Sequence, residues 1–180
     1  LHSCTNYQCY KGLYSSFNTM NMFEIVHSLL RFFGPEDWTV CRGEHLLSFA
    51  DNHDVTRIAT ILNNKNHLPL VYGFVFGMPG IPCVYYGSEW GAEGDKKGGD
   101  PSLRPCFDAP VENELTDLIS RMAEIHKNSE ALCYGGFRSV LLQNQYCIFE
   151  RKSEHERILV AINACADTVT AHFDAGCGKA

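Results

Sequence analysis

The chain has 180 residues, of which 45% are hydrophobic and 20% charged, enough apolar material for one ordinary core or for two small ones side by side. A net charge of -6 without a basic stripe excludes the electrostatic footprint of a nucleic-acid binder. The greasiest run, Leu68 to Phe76, falls short of the roughly 18 residues a membrane span needs, so no membrane partner is expected.

In chain order, Leu1 to Tyr7 reads as a short strand or strand remnant, and Gly12 to Thr19 as a polar loop. Met22, Phe23, Ile25, Val26, Leu29, Leu30 and Phe33 recur at helical spacing, with Asn21 or Thr19 as cap and Gly34-Pro35 as stop. Leu46 to Ala50 is an apolar run without polar alternation, the pattern of a strand buried on both faces, and it ends abruptly in Asp51-Asn52-His53-Asp54. Helical material follows over Thr56 to Leu62 and Leu68 to Phe76. Ile81 to Tyr86 then forms a second buried strand.

A glycine-rich loop, Gly87 to Pro110, leads to a helix with Leu115, Leu118, Ile119, Met122 and Ile125 on its apolar face. After Ala131 the period becomes two: Val140 and Leu142, Cys147 and Phe149, Ile158 to Ile162, and Val169 to Phe173 alternate as antiparallel strands do. Two architectures therefore meet near residue 130, a parallel β/α part over 1–130 and a β-sandwich-like part over 131–180.

Nine cysteines, none in a C-x-x-C pair, argue for thiols in a reducing compartment and against a zinc or redox site. That places the protein in the cytoplasm. No charged n-region with an apolar h-region precedes the fold, so no secretion signal is expected on these residues. His2, His27, His45, His67, His126, His155 and His172 have no ligand spacing, so neither a metal nor a cofactor is expected.

In a parallel β/α fold, ligands bind where strands end and loops converge. Both polar clusters, Asp51 to Asp54 and Tyr86 to Gly91, lie there. On spacing alone, Asp54 reads as a helix cap just before a helical stretch.

The motifs taken together resemble the α-amylase family, glycoside hydrolase family 13. Phe49 to Asp54 is similar to its F-x-x-x-H-D at the end of barrel strand seven. Cys4-Thr5-Asn6-Tyr7 resembles the end of strand six in the cyclomaltodextrinase and neopullulanase branch, and Gly80-Ile81-Pro82 to Glu89 resembles strand eight. Asp100-Pro101-Ser102-Leu103-Arg104 is similar to the D-P-x-x-R of the following loop.

That resemblance implies an α/β fold: strands six to eight of a TIM (β/α)8 barrel followed by a truncated antiparallel β-sandwich domain. It also implies a retaining mechanism at α-1,4 or α-1,6 glucosidic bonds, by hydrolysis or transglycosylation, with a carboxylate nucleophile and a general acid about 5–5.5 Å apart. Asp54 matches the third carboxylate, which stabilises the transition state. His53 matches the histidine that grips sugar hydroxyls beside it, and Asp100 and Arg104 match contacts to a more distant subsite.

The nucleophile and acid belong to earlier strands of such a barrel. Gly136-Phe137-Arg138 imitates the nucleophile's G-F-R-x-D, but Val140 stands at the aspartate's place. Glu89 beside Trp90 fits a structural or substrate-contact role better than that of the acid. Trp38 and Trp90 read as packing residues before sugar platforms. The chain is thus expected to be inactive alone and to act on α-glucan or maltooligosaccharide with a missing N-terminal part of the same enzyme, or to self-associate through open barrel edges. The alternative is a non-catalytic carbohydrate-binding or scaffold fragment.

Overall fold

A computed structural model describes residues 3–176. Leu1 and His2 of the expected first strand lie outside the described residues.

The first helix, α1 (Tyr7–Thr19), replaces the expected strand end and polar loop. Cys9, Leu13 and Phe17 recur every four residues and are all buried, so Ser15, Ser16, Asn18 and Thr19 disguise a helix with one strong apolar stripe. Asn6 starts it by accepting the Cys9 N–H at 3.1 Å. What remains of the strand is a single parallel bridge, Thr5 to Leu47.

Helix α2 (Phe23–Phe33) packs on α1 and ends at Gly34 as its sequence indicates. Its start differs: Asn21 reaches only the Phe23 N–H at 3.3 Å, and the Thr19 hydroxyl bonds Ser15 and Glu24. The buried Ser16 hydroxyl caps it instead, accepting the Ile25 N–H at 2.9 Å across the helix pair. That approach needs Gly12, where a Cβ would stand 3.2 Å from the Glu24 carbonyl oxygen.

Strands β1 (Leu47–Phe49) and β2 (Ile81–Cys83) pair in parallel, Leu47 opposite Ile81 and Phe49 opposite Cys83. Both are shorter than their apolar runs. β1 is buried at Ser48 and Phe49, but the expectation that β2 is buried on both faces fails: Ile81 is 48% exposed. Among the described residues β2 has no strand beyond it, so its side chains lack the neighbours that would cover them. Gly80, at φ +116°, lets the backbones meet, since a Cβ there would fall 2.5 Å from the Leu46 carbonyl oxygen.

Short α3 (Ile58–Ile61) and apolar α4 (Leu68–Gly77) separate the two strands in sequence. The loop after β2 contains α5 (Gly99–Leu103) and leads to α6 (Glu114–Lys127), capped by Asn113, and α7 (Glu130–Tyr134). Ile119 of α6 is buried, but Ile125, expected on the same face, is 60% exposed. His126 is buried in its stead, its Nδ1 2.8 Å from the Phe76 carbonyl oxygen.

Strands β3 (Gly136–Leu142), β4 (Tyr146–Lys152) and β5 (Arg157–Asn163) form an antiparallel meander with a register shift beside Val140. The expected fourth strand over Val169 to Phe173 does not form. Val169 and Ala171 are half-buried, yet among the described residues no strand pairs with this segment, and alternation cannot by itself supply a ladder partner. One apolar core runs from α1, α2 and α4 into this sheet, with the Phe74 and Phe149 rings stacked at 5.6 Å. The architecture is α/β.

Candidate active site

The four residues singled out by sequence converge beyond the carboxyl ends of β1 and β2. After Phe49 the chain turns sharply, and Asn52 stabilises that turn by accepting the Asp54 N–H at 2.8 Å. His53 Nε2 lies 3.2 Å from Asp54 Oδ2. Arg104 Nη2 lies 3.3 Å from Asp54 Oδ1, while its Nη1 lies 3.5 Å from Asp100 Oδ2, so the guanidinium bridges two carboxylates. Arg104 also donates from Nε to the His53 carbonyl oxygen at 3.4 Å.

His53, Asp54 and Arg104 are about half exposed and Asp100 is more so, and Asp54 at 54% can be reached by a ligand. Exposed ion pairs contribute only about 0–1 kcal/mol to stability, so the cluster is poorly explained as a device for holding the fold. Asp54 is not a helix cap either. The buried Asp51 accepts the Ile58 N–H at the start of α3, at 2.7 Å.

Beneath the exposed cluster lies a buried one that the sequence pattern did not expose. Arg57 is fully buried, donating from Nη1 to the Tyr86 carbonyl oxygen at 2.7 Å and the Ser88 hydroxyl at 3.0 Å, and from Nη2 to the Leu103 carbonyl oxygen at 2.9 Å. Its guanidinium lies over the Tyr85 ring, 4.2 Å from the centroid. The Ser88 hydroxyl lies 2.7 Å from Asp51. Burial pushes the Asp51 carboxyl above the usual carboxylate range, opposed by the Ile58 and Ser88 hydrogen bonds and by the charge of Arg57. The available signal was positional: Asp51 and Arg57 flank the His53-Asp54 turn.

Around the cluster, Tyr86, Trp90 and Phe107 line an open cleft of about 580 Å³ that includes Arg104 and Glu89. Trp90 packs edge-on against Phe107 at 5.1 Å. Trp38 lies apart, 63% exposed, in a hollow with His27 and Leu30 of α2. Phe137 is buried in β3 and Arg138 pairs with Glu150 at 3.0 Å, which accounts for Gly136-Phe137-Arg138 without catalysis. Among the described residues no group of three or more His, Cys, Asp or Glu side chains is arranged to hold a metal ion.

A family model for the alpha-amylase catalytic domain matches residues 15–140. The chain belongs to the alpha-amylase family. It is 32% identical over 127 residues to a cyclomaltodextrin glucanotransferase of Bacillus licheniformis, covering 69% of this chain and 17% of that protein. It is 30% identical over 118 residues to an alpha-amylase of Niallia circulans, covering 65% of this chain and 22% of that protein. The fold superimposes on the maltogenic amylase from S. marinus with a TM-score of 0.80 and 23% identity, covering 96% of this chain and 25% of that one. This chain therefore spans less than a quarter of the length of these curated relatives.

Proposed function

We propose that this chain supplies the transition-state-stabilising carboxylate, Asp54, to a retaining α-glucan glycosidase that hydrolyses or transglycosylates α-1,4 or α-1,6 glucosidic bonds. The observation that carries this reading is the placement of Asp54: half exposed beyond two parallel strand ends, held by Arg104 and His53, and capping no helix. In such a reaction the sugar ring flattens toward an oxocarbenium ion, and hydrogen bonds to its hydroxyls strengthen as it does so. Asp54 accepts from those hydroxyls and His53 bonds beside it. Asp100 and Arg104 contact a sugar further along the chain.

The nucleophile and general acid then lie on a part of the polypeptide that precedes this one, in keeping with relatives several times its length. Thr5, β1 and β2 correspond to strands six, seven and eight of the barrel, residues 1–130 to its C-terminal part and 131–180 to part of an all-β domain. The exposed Ile81 on β2 supports an edge that the preceding part of the enzyme, or another copy, covers. A cytoplasmic location is supported by the free thiols of all eight cysteines among the described residues. Among those residues no helix is long and apolar enough to cross a membrane.

The test is turnover of a chromogenic maltooligosaccharide by two preparations, these 180 residues alone and the polypeptide extended through the preceding part. Only the extended one should be active. Turnover by the chain alone, above a mock preparation, overturns the division of labour, and inactivity of both overturns the function.

A further inference from the structure

We infer that Arg57 is a positioning residue: its buried guanidinium sets the spacing between the turn that carries His53 and Asp54 and the loop that carries Asp100 and Arg104. The inference rests on the function proposed above for Asp54.

Three connections converge on this one side chain. Its own backbone follows the Asp54 turn directly. Nη1 holds the segment after β2 through the Tyr86 carbonyl and the Ser88 hydroxyl, and Nη2 holds the Leu103 carbonyl, whose carbon is bonded to the Arg104 nitrogen. The position of Arg104 is thus fixed one peptide bond from its own Cα. From there it reaches back to Asp54 at 3.3 Å, which closes a ring of contacts through both loops.

The loop is seated on the arginine stem as well. The Arg57 N–H donates to the Gly94 carbonyl oxygen at 2.9 Å, and a Cβ at Gly94 would meet Arg57 Cγ at 3.1 Å. Thr56 adds a further tie by accepting the Lys96 N–H at 3.1 Å. A planar fork with donors at both ends can serve two backbone segments at once, whereas a lysine ammonium is a point donor on a flexible stem. If bulk stability were the sole requirement, an apolar residue of similar volume would serve as well or better than a buried cation. The geometry instead directs both terminal guanidinium nitrogens, Nη1 and Nη2, to segments that border the Asp54 cluster, while Nε is left without a partner among the described residues.

The experiment uses the extended, active polypeptide and measures kcat and KM on a maltooligosaccharide for R57K, R104A and the double variant, with thermal melting to confirm folding and D54N as a control. R57K should lower kcat/KM on the order of 10²-fold, the effect of a misplacement near 1 Å. In the R104A background, where loop position no longer reaches Asp54, the same change should cost about tenfold or less, because residues that act through one network are not additive. S88A, which removes one acceptor of the fork, should show the same coupling with a smaller loss and decides the matter if R57K does not fold. Equal losses in both backgrounds, or unchanged kinetics in whichever variant folds, overturn the inference. An active D54N overturns the proposed function itself, whatever Arg57 does.

Discussion

Arg104 and Asp54 are 50 residues apart in sequence and 3.3 Å apart in space, and neither is buried. The pair joins the loop after β2 to the turn after β1. Because Arg104 also bridges to Asp100, removing it releases two carboxylates, which repel one another and any anionic group nearby.

Arg104→Ala in the extended enzyme is therefore expected to weaken binding of longer maltooligosaccharides while leaving kcat within a few-fold. Michaelis constants across a series of chain lengths check this. Added salt should narrow the gap between variant and wild type, since half-exposed pairs are screened. If KM for the longest substrate does not move, Arg104 is not a subsite residue.

The half-open parallel sheet has consequences for association. Ile81 at 48% and Tyr86 at 43% exposure lie at and just after a strand beyond which, among the described residues, no further strand pairs, and three parallel segments cannot close a barrel. Two copies would bring only six strands, a poor fit to eight-strand geometry, so under the proposed function the preceding part of the enzyme is expected to be the better partner. Light scattering across a dilution series should find the chain alone self-associated, and a one-to-one complex when that part is added. A cooperatively unfolding monomer at micromolar concentration would contradict this.

Burial pushes Cys9 and Cys147 from an ordinary value near 9 up to about 12. In the unfolded chain these thiols ionise at their ordinary value, so above about pH 9 the unfolded state binds fewer protons than the folded one and stability falls as pH rises, by at most about 1.4 kcal/mol per pH unit for each thiol. Denaturant melts between pH 8 and 11 should show that decline, and Cys9→Ala should make it shallower by removing one of the two contributions. At pH 8, alkylation should modify the exposed Cys4 and Cys106 and spare Cys9 and Cys147. A flat melting profile would remove the two thiols from the account of stability.

Legibility in the sequence followed physical distinctness. α2, α4 and α6 were readable because apolar spacing and breakers such as Gly34 mark them, whereas His53, Asp54, Asp100 and Arg104 were singled out by the family resemblance, since on spacing alone Asp54 reads as a helix cap. Helix α1 was not, because Ser15, Ser16 and Asn18 dilute its stripe and its cap, Asn6, lies inside what reads as a strand. The fourth antiparallel strand was over-read from alternation, which reports a half-buried surface and not a hydrogen-bonded neighbour. Arg57 was hidden for a related reason: a single arginine beside an N-H-D carries no pattern, and its partners at Ser88 and Leu103 lie 31 and 46 residues away.

The most direct measurement of the central claim is the pair of effects that Asp54→Asn has on the extended enzyme. A carboxylate whose contacts tighten as the sugar ring distorts contributes to kcat and little to ground-state affinity. The amide should therefore lower kcat on the order of 10³-fold or more, as befits hydrogen bonds worth several kcal/mol at the transition state, with maltooligosaccharide affinity within a few-fold of wild type. Lost affinity with kcat unchanged would make Asp54 an ordinary binding residue and contradict the claim.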